Sequence, residues 1–550
     1  MAESTPFGIP LHTENKDLRP SAKLYGMLLE ERKDILFILL YGILSGLVNL
    51  SLPLGVQAII TRISGGLFFE SVYVLIGLVM LGVALSGGLQ VLQITLVEVI
   101  QKRIFAKTAF RFTMAICRLR YGQMEGKNMQ ELMNRFFDVI TIQKGLPKLL
   151  IDLSSALIQI FFGLLLLSFY HPFFIFLSFF LVLFIVVLFR LTGSEGMRTS
   201  MKESTYKYQV VHWLEEMARM RNLVRTWPEE QTVQKADSLV GEYLGYRRKH
   251  FKILVTQYVT ILVLKFIIVG SMLILGSMLV VDRKITLGQF VASELIIVTL
   301  VGAVEKIILY MDVVYDLLTG VEKISTVTTL QLENGGGALP PQTQGPATIT
   351  VKGLNLKSKT KDILSFKDFT TELAPGQVNT LHFDEQEKVA GFIELLLGIP
   401  ETFDGAVLVD GLPIREIDKA KWRREVSVYT GSDDLTFGTL RENIVYNAGE
   451  GGIEKVISIL HEMGIADLVF SAADGLNALS LPGGQNLNGR IAELFPFAIM
   501  LAREPRLLII KDSIQNLSPE EKILLIDYIR SKSAEITVLV FSSDETWAAA

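Results

Sequence analysis

One cysteine in 550 residues, Cys117, rules out an intrachain disulfide, and no paired Cys or His spacing offers a structural zinc site. A catalytic thiol would need a partner that the sequence does not place near it, so Cys117 reads as a thiol packed or exposed on a helix. Neither sign of charge dominates: 53 Lys and Arg stand against 57 Asp and Glu, a net of -4, so the footprint of a nucleic-acid binder is missing. The polar start, Met1 to Lys33 with Asp17, Glu30 and Glu31, lacks the apolar core of a cleavable signal peptide. Glycine is missing from Gln377 to Ala390.

What the chain has in excess is apolar residues. A hydrophobic content of 50% and a mean hydropathy of +0.40 are too high for a soluble pair of domains, and the excess lies before about residue 320. Runs near the ~20 residues that cross a bilayer occur at Ile35–Ile60, Ser71–Leu96, Leu149–Phe169, Phe173–Leu191, Leu254–Val281 and Thr286–Tyr310. Their connections alternate between short ones and the long 97–148 and 192–253. Lys102, Arg103, Lys107, Arg111, Arg118 and Arg120 lie in the first long one and Arg190, Arg198, Lys202, Arg247, Arg248 and Lys249 around the second, whereas the short ones offer Arg62, Arg283 and Lys284. By the positive-inside rule the long connections and both termini face the cytoplasm, with a bacterial inner membrane as the expected site. Phe105, Ala109, Phe112, Ile116 and Leu119 keep helical spacing, so the membrane helices should continue into water and turn back near Gly126–Glu131 and Glu216–Leu223.

Lys265 falls within the fifth run and Glu294 and Glu305 within the sixth. Charge inside a span is costly and faces the bundle or a wet cavity, so these three are candidates for a transport pathway, with an interhelical pair or snorkelling at the interface as the alternatives. Ser45–Gly46, Ser86–Gly88 and Gly270–Ser271 read as close helix-packing points.

Glu333–Gly345 (ENGGGALPPQTQG) is aperiodic and marks a linker. Beyond it, strands at Ala347–Asn355, Val378–Phe383, Ala406–Asp410, Val426–Tyr429, Leu507–Ile510 and Thr537–Phe541 alternate with helices at Gly391–Leu397, Glu454–Met463, Ile491–Ala502 and Pro519–Ser531. That is an α/β domain with a parallel core. The expected organisation is an N-terminal segment 1–32, a six-helix membrane domain 33–325, a linker 326–346 and the α/β domain 347–550.

Six spans with two long water-side loops over residues 20–325, ending in Asp316–Ile324 (DLLTGVEKI), resemble the type I exporter fold of ATP-binding-cassette (ABC) transporters. Residues 347–543 resemble the cassette itself through Asp404–Ile417 (DGAVLVDGLPIREI), Trp422–Val426 (WRREV), Thr439–Ile444 (TLRENI), Gly464–Ala478 (GIADLVFSAADGLNA) and Gly483–Gly489 (GGQNLNG). The last of these stands where the family has a run ending in L-S-G-G-Q.

The resemblance implies a phosphate loop, a Mg²⁺ aspartate, a glutamate that polarises water, and a signature presented to ATP on the opposite chain. The loop reads Asp384-Glu385-Gln386-Glu387-Lys388-Val389-Ala390, without the glycines that let backbone amides close on phosphates; Lys388 is either a displaced phosphate lysine or a solvated one. The aspartate and glutamate positions hold Lys511 and Asp512, with Asp512 a metal ligand under a one-residue shift. The signature becomes Leu487-Asn488-Gly489-Arg490-Ile491; Gly431 stands at the glutamine loop and Ser543 at the switch histidine, and Lys357–Lys361 holds no aromatic to stack on adenine. The resemblance implies a dimeric half-transporter, homodimer or heterodimer, of unknown substrate, whose cassette has lost ATP binding and hydrolysis. ATP and Mg²⁺ would then come only with an intact partner. A working efflux subunit powered by that partner and a nucleotide-free scaffold or channel are the alternatives.

Overall fold

The computed structural model describes residues 19–65, 70–120, 129–333, 345–357, 364–400, 402–430, 435–470, 474–511, 517–542 and 547. Two compact units meet in sequence at Leu332 and Glu333. The first is all helix: α1 (Pro20–Leu29), α2 (Arg32–Asn49), α3 (Ser51–Ser64), α4 (Glu70–Arg118), α5 (Met129–Asn134), α6 (Asp138–Pro147), α7 (Ser154–Ser168), α8 (Pro172–Arg219), α9 (Arg221–Val224), α10 (Glu229–Val281), α11 (Leu287–Leu309) and α12 (Met311–Thr328). Among the described residues, six helical stretches are long and apolar enough to cross a membrane. The 53 residues of α10 extend ~80 Å at ~1.5 Å per residue, against ~30 Å of hydrocarbon, so the long helices run well past the lipid.

Prolines break the regular runs, and at Pro147 a side chain meets the group left free. Pro53 cannot donate to Asn49, and α2 gives way to α3 at Leu50. Pro147 likewise cannot donate to the Gln143 carbonyl; the Gln101 amide takes it at 2.5 Å, and Gln143 returns a bond to the Gln101 carbonyl at 3.1 Å. Several of the cations that mark orientation in the sequence are paired. Arg103, Lys107 and Arg111 of α4 bind Glu30, Glu31 and Asp34 at the α1–α2 turn, at 2.6–3.3 Å. The buried Lys23 of α1 reaches Glu322 of α12 at 2.9 Å.

Two apolar cores organise this unit. One joins α7, α8, α10 and α11 through Ile160, Leu181, Ile261, Leu264, Ile268 and Leu300. The other joins α1, α2, α4, α6 and α12 through Ile100, Phe112, Ile142, Leu317 and Val321, and takes no residue from α8 or α10.

The second unit begins with β1 (Ile349–Lys357), β2 (Leu364–Leu373), β3 (Val378–Leu381) and α13 (Gln386–Leu396), and continues with β4 (Asp404–Val409), β5 (Leu412–Pro413), α14 (Lys419–Trp422) and β6 (Val426–Tyr429). It ends with β7 (Gly438–Thr439), α15 (Leu440–Ala448), α16 (Gly452–Glu462), α17 (Ala466–Phe470), β8 (Leu479–Ser480), α18 (Gly489–Ala502), β9 (Leu507–Lys511), α19 (Pro519–Lys532) and β10 (Thr537–Phe541). The parallel sheet runs β3-β10-β9-β6, and an antiparallel sheet runs β2-β1-β4-β5. β10 is buried throughout and β9 up to Ile510, as expected of strands covered on both faces. One core fills the space between the sheets around α13, and a second packs α15, α16, α18 and α19 on the other face.

Candidate functional site

In an open parallel α/β sheet ligands gather at the carboxyl ends of the strands, here Leu381, Tyr429, Lys511 and Phe541. The turn from β3 into α13 takes only residues 382–385, shorter than the loop read from the sequence, because helix already starts at Gln386. Lys388 therefore sits in the first turn of α13 and pairs with Glu385 at 3.6 Å. No residue from Gln377 to Leu397 has positive φ, so the turn lacks the alternating backbone that aims successive amides at one anion.

Phe383 accounts for that shape. Its ring packs on Phe366 at 5.2 Å, on Phe369 and Phe392 at 5.7 Å and on Phe541 at 5.8 Å, drawing the turn onto the apolar core instead of letting it arch. The charges point outward: Asp384 is 90% exposed beside His382 at 3.3 Å, and Glu385 is 61% exposed. Three carboxylates, Asp384, Glu385 and Glu387, thus surround the helix start whose partial positive charge would otherwise favour a phosphate.

At the start of α18, Asn488 caps the helix by accepting the Arg490 amide at 3.0 Å, with Gly489 as the first helical residue. The Arg490 guanidinium contacts Glu521 of α19. The Ser518 amide first, with the Ser518 hydroxyl and Arg490 adding to it, holds the Glu521 carboxyl below the usual glutamate range. Lys511 ends β9 opposite Phe541. Gly431, Asp512 and Ser543 lie outside the described residues, as does the first candidate turn up to residue 128; Met129–Glu131 are already helical. The second candidate turn falls at Met220, between α8 and α9.

Other cassette-like motifs prove to be structural devices. In TLRENI, Thr439 accepts the Glu442 amide at 3.1 Å while Glu442 accepts the Thr439 amide at 2.7 Å. Asn443, fully buried, ties Thr436 to the same turn. Thr439→Ala should cost about 1 kcal/mol, read as a lower urea midpoint for this unit. In DGAVLVDGLPI, Asp410 and Gly411 both take positive φ and close the β4–β5 hairpin. The Trp422 indole donates to the Leu396 carbonyl at 2.7 Å.

In the membrane unit, Lys265 and Glu305 meet at 3.2 Å, and the Tyr258 hydroxyl donates to the same carboxylate at 3.3 Å. Glu294 lies three turns from Glu305 on α11, and its Oε2 has no hydrogen-bond partner among the described residues. Sequence reasoning missed the histidine site of this unit. His250 is 1% exposed and bonds Thr199 at 3.0 Å and Asp312 at 3.1 Å. Set in the charged run Arg247-Arg248-Lys249-His250, it carried no local signal of burial.

Comparison with known proteins agrees with this architecture. Residues 35–304 match the family model for the ABC transporter transmembrane region. A bacterial Atm1-family ABC exporter with ATP bound superposes with a TM-score of 0.79 at 15% identity, covering 93% of this chain and 91% of that one. Over 209 residues, 38% of the chain, it is 25% identical to the mitochondrial potassium channel ATP-binding subunit of Homo sapiens, of which the match covers 28%. Over 202 residues, 37% of the chain, it is 24% identical to the colicin V secretion/processing ATP-binding protein CvaB of Escherichia coli, of which it covers 29%. The matched stretches thus span less than a third of those relatives.

Proposed function

Because this chain is an integral membrane protein with an ABC transporter transmembrane region and the fold of an ABC exporter, we propose that it is a half-transporter subunit whose cassette neither binds nor hydrolyses ATP. The observation that carries the reading is the β3–α13 turn: Phe383 is drawn into an aromatic cluster, no residue of the turn has a positive φ, and three carboxylates surround the helix start. Like charges ~4 Å apart repel by about 1 kcal/mol in water and about 4 near a protein surface, more than one lysine offsets against a triphosphate. Lys511 at the end of β9 would repel Mg²⁺ as well.

Each ATP of such a pair is held between the phosphate loop of one half and the signature of the other. A homodimer of this chain would then have no working site, whereas an intact partner would place its own loop against Asn488, Gly489 and Arg490. The retained cap at Asn488 favours such a heterodimer, because the helix start that faces the partner's nucleotide is still built. In that pair Lys265, Glu294 and Glu305 are the polar groups offered to a substrate within the bilayer. The channel in the name of the human relative gives a second reading, a nucleotide-free subunit of a conducting complex.

Isolation of the chain from its own membrane, followed by quantitative mass spectrometry, tests this. An equimolar second half with an intact phosphate loop is the expected result; the chain alone, hydrolysing ATP at rates near 1–10 per second, would contradict it. Orientation has its own test. Cys117 is exposed at the end of α4, so a membrane-impermeant maleimide should label it in inverted vesicles and spare it in sealed cells; the reverse pattern would place the long loops outside.

A further inference from the structure

The two apolar cores of the membrane unit share no helix, and the border between them cuts two membrane spans at their cytoplasmic ends. In the third span, α6 belongs to the core with α1, α2, α4 and α12, while α7 belongs to the core with α8, α10 and α11. The sixth span divides in the same way between α12 and α11. The crossing points are sharp. Leu150 and Ile151 lie in the first of these cores and Leu153 packs against the other; Ile308 lies in the second and Leu317 in the first.

Both crossings are irregular. Lys148–Leu153 form a single π turn directly after Pro147, with bonds that close a wider ring than those of the α-helix on either side. The Ser154 hydroxyl reaches the carbonyls of Leu150 and, at 3.1 Å, of Ile151, so a side-chain donor stands ready for acceptors that this turn loosens. Between α11 and α12, Tyr310 has a ψ of -3°, away from the ~-42° of an α-helix.

The two irregular points meet at one side chain. Lys148 lies 5.7 Å from the centre of the Tyr310 ring, and Asp152, at the far end of the π turn, stands beside the Tyr310 hydroxyl. Other contacts across the border yield more easily. Ile158 of α7 packs over Gly42 and Gly46 of α2 without a directional bond. In the water-side extensions Ser200 meets Thr319 at 3.0 Å and His250 meets Asp312 at 3.1 Å, hydrogen bonds that water can replace at little net cost. Within the α1–α2–α4–α6–α12 body, by contrast, Arg103, Lys107 and Arg111 grip the α1–α2 turn, Gln101 exchanges bonds with Gln143, and Lys23 holds Glu322.

We propose that Lys148–Leu153 and Tyr310 are a pair of coupled hinges, tied together by Lys148 and Asp152 on Tyr310, about which α6 and α12 swing as one body against α7 and α11. A close-packed core resists bending, so motion collects where one core ends and the next begins. Turning at one hinge displaces the groups that hold the Tyr310 ring, and the other hinge must follow. The device goes beyond the half-transporter reading and does not depend on the nucleotide state of the cassette.

Hydrogen–deuterium exchange of the full chain in phosphatidylcholine nanodiscs tests it. Amides of 148–153 and 309–312 should exchange at least about tenfold faster than those of 97–101, which lie at the same end of an apolar run in the unbroken α4. Tyr310→Leu keeps apolar bulk and loses both contacts, so exchange at 148–153 should quicken a further ~threefold. Lys148→Gln should quicken exchange at 309–312 likewise. Protection at either break equal to that of α4, or a change confined to the break that carries the substitution, would overturn the coupled hinge. If Tyr310→Leu does not fold, Lys148→Gln decides alone.

Discussion

Truncating Phe392 to alanine should lower the stability of the second unit by about 3–5 kcal/mol, the usual cost of removing a large aromatic from a closed core. The ring is fully buried and touches Phe366, Phe369, Phe383 and Phe541 at 5.7–6.1 Å, so no water or neighbouring chain can refill the space. Limited proteolysis of the full chain in urea reads the effect, and a midpoint within about 1 kcal/mol of the parent would show that the aromatic cluster does not hold this corner together. Phe383→Ser should cost less, because Phe383 is only partly buried. It should not restore nucleotide binding either: three carboxylates and a helix that starts at Gln386 would remain.

The second large effect belongs to the ion pair within the apolar spans. Glu305→Ala leaves the Lys265 ammonium unpaired on α10, at a cost of about 2.5–3.5 kcal/mol on insertion scales for a charge at the centre of a span. Lys265→Ala strands the carboxylate, which keeps the Tyr258 hydroxyl as a partner and should cost less. Replacing both with methionine should recover most of the loss, since two apolar side chains need no partner in lipid. Thermal unfolding of the four proteins in one detergent gives the coupling. Additive losses, with the double variant worst, would mean that the two groups act separately. A double variant that folds like the parent but fails to move substrate would assign the pair to the pathway.

Several features are legible in the sequence because one local rule decides them. The strands β9 and β10 read as short apolar runs because both faces are covered. Thr286 with Gln289, Thr439 with Glu442 and Ser518 with Glu521 carry the spacing of a capping box, and each forms one. Strand β2 is not legible: Asp368 takes a φ of 49° and bulges the strand, so Phe366 and Phe369, three apart, share a side and mask the period of two. The start of α13 is hidden for another reason. A chain read by its likeness to a phosphate loop is expected to stay open up to Ala390, whereas Gln386, Glu387 and Lys388 are ordinary helix formers that continue the helix backward once no glycine interrupts them. Contacts between distant helices, such as Lys23 with Glu322 or His250 with Asp312, follow from packing and leave no trace in local spacing.

Calorimetric titration of the purified full chain with Mg·ATP bears on all of this most directly. Without a backbone cradle beside Phe383, no saturable heat should appear up to about 1 mM nucleotide. Micromolar, saturable binding that disappears in Lys388→Ala would contradict the account, because it would require the amides of this acidic turn to close around a triphosphate after all.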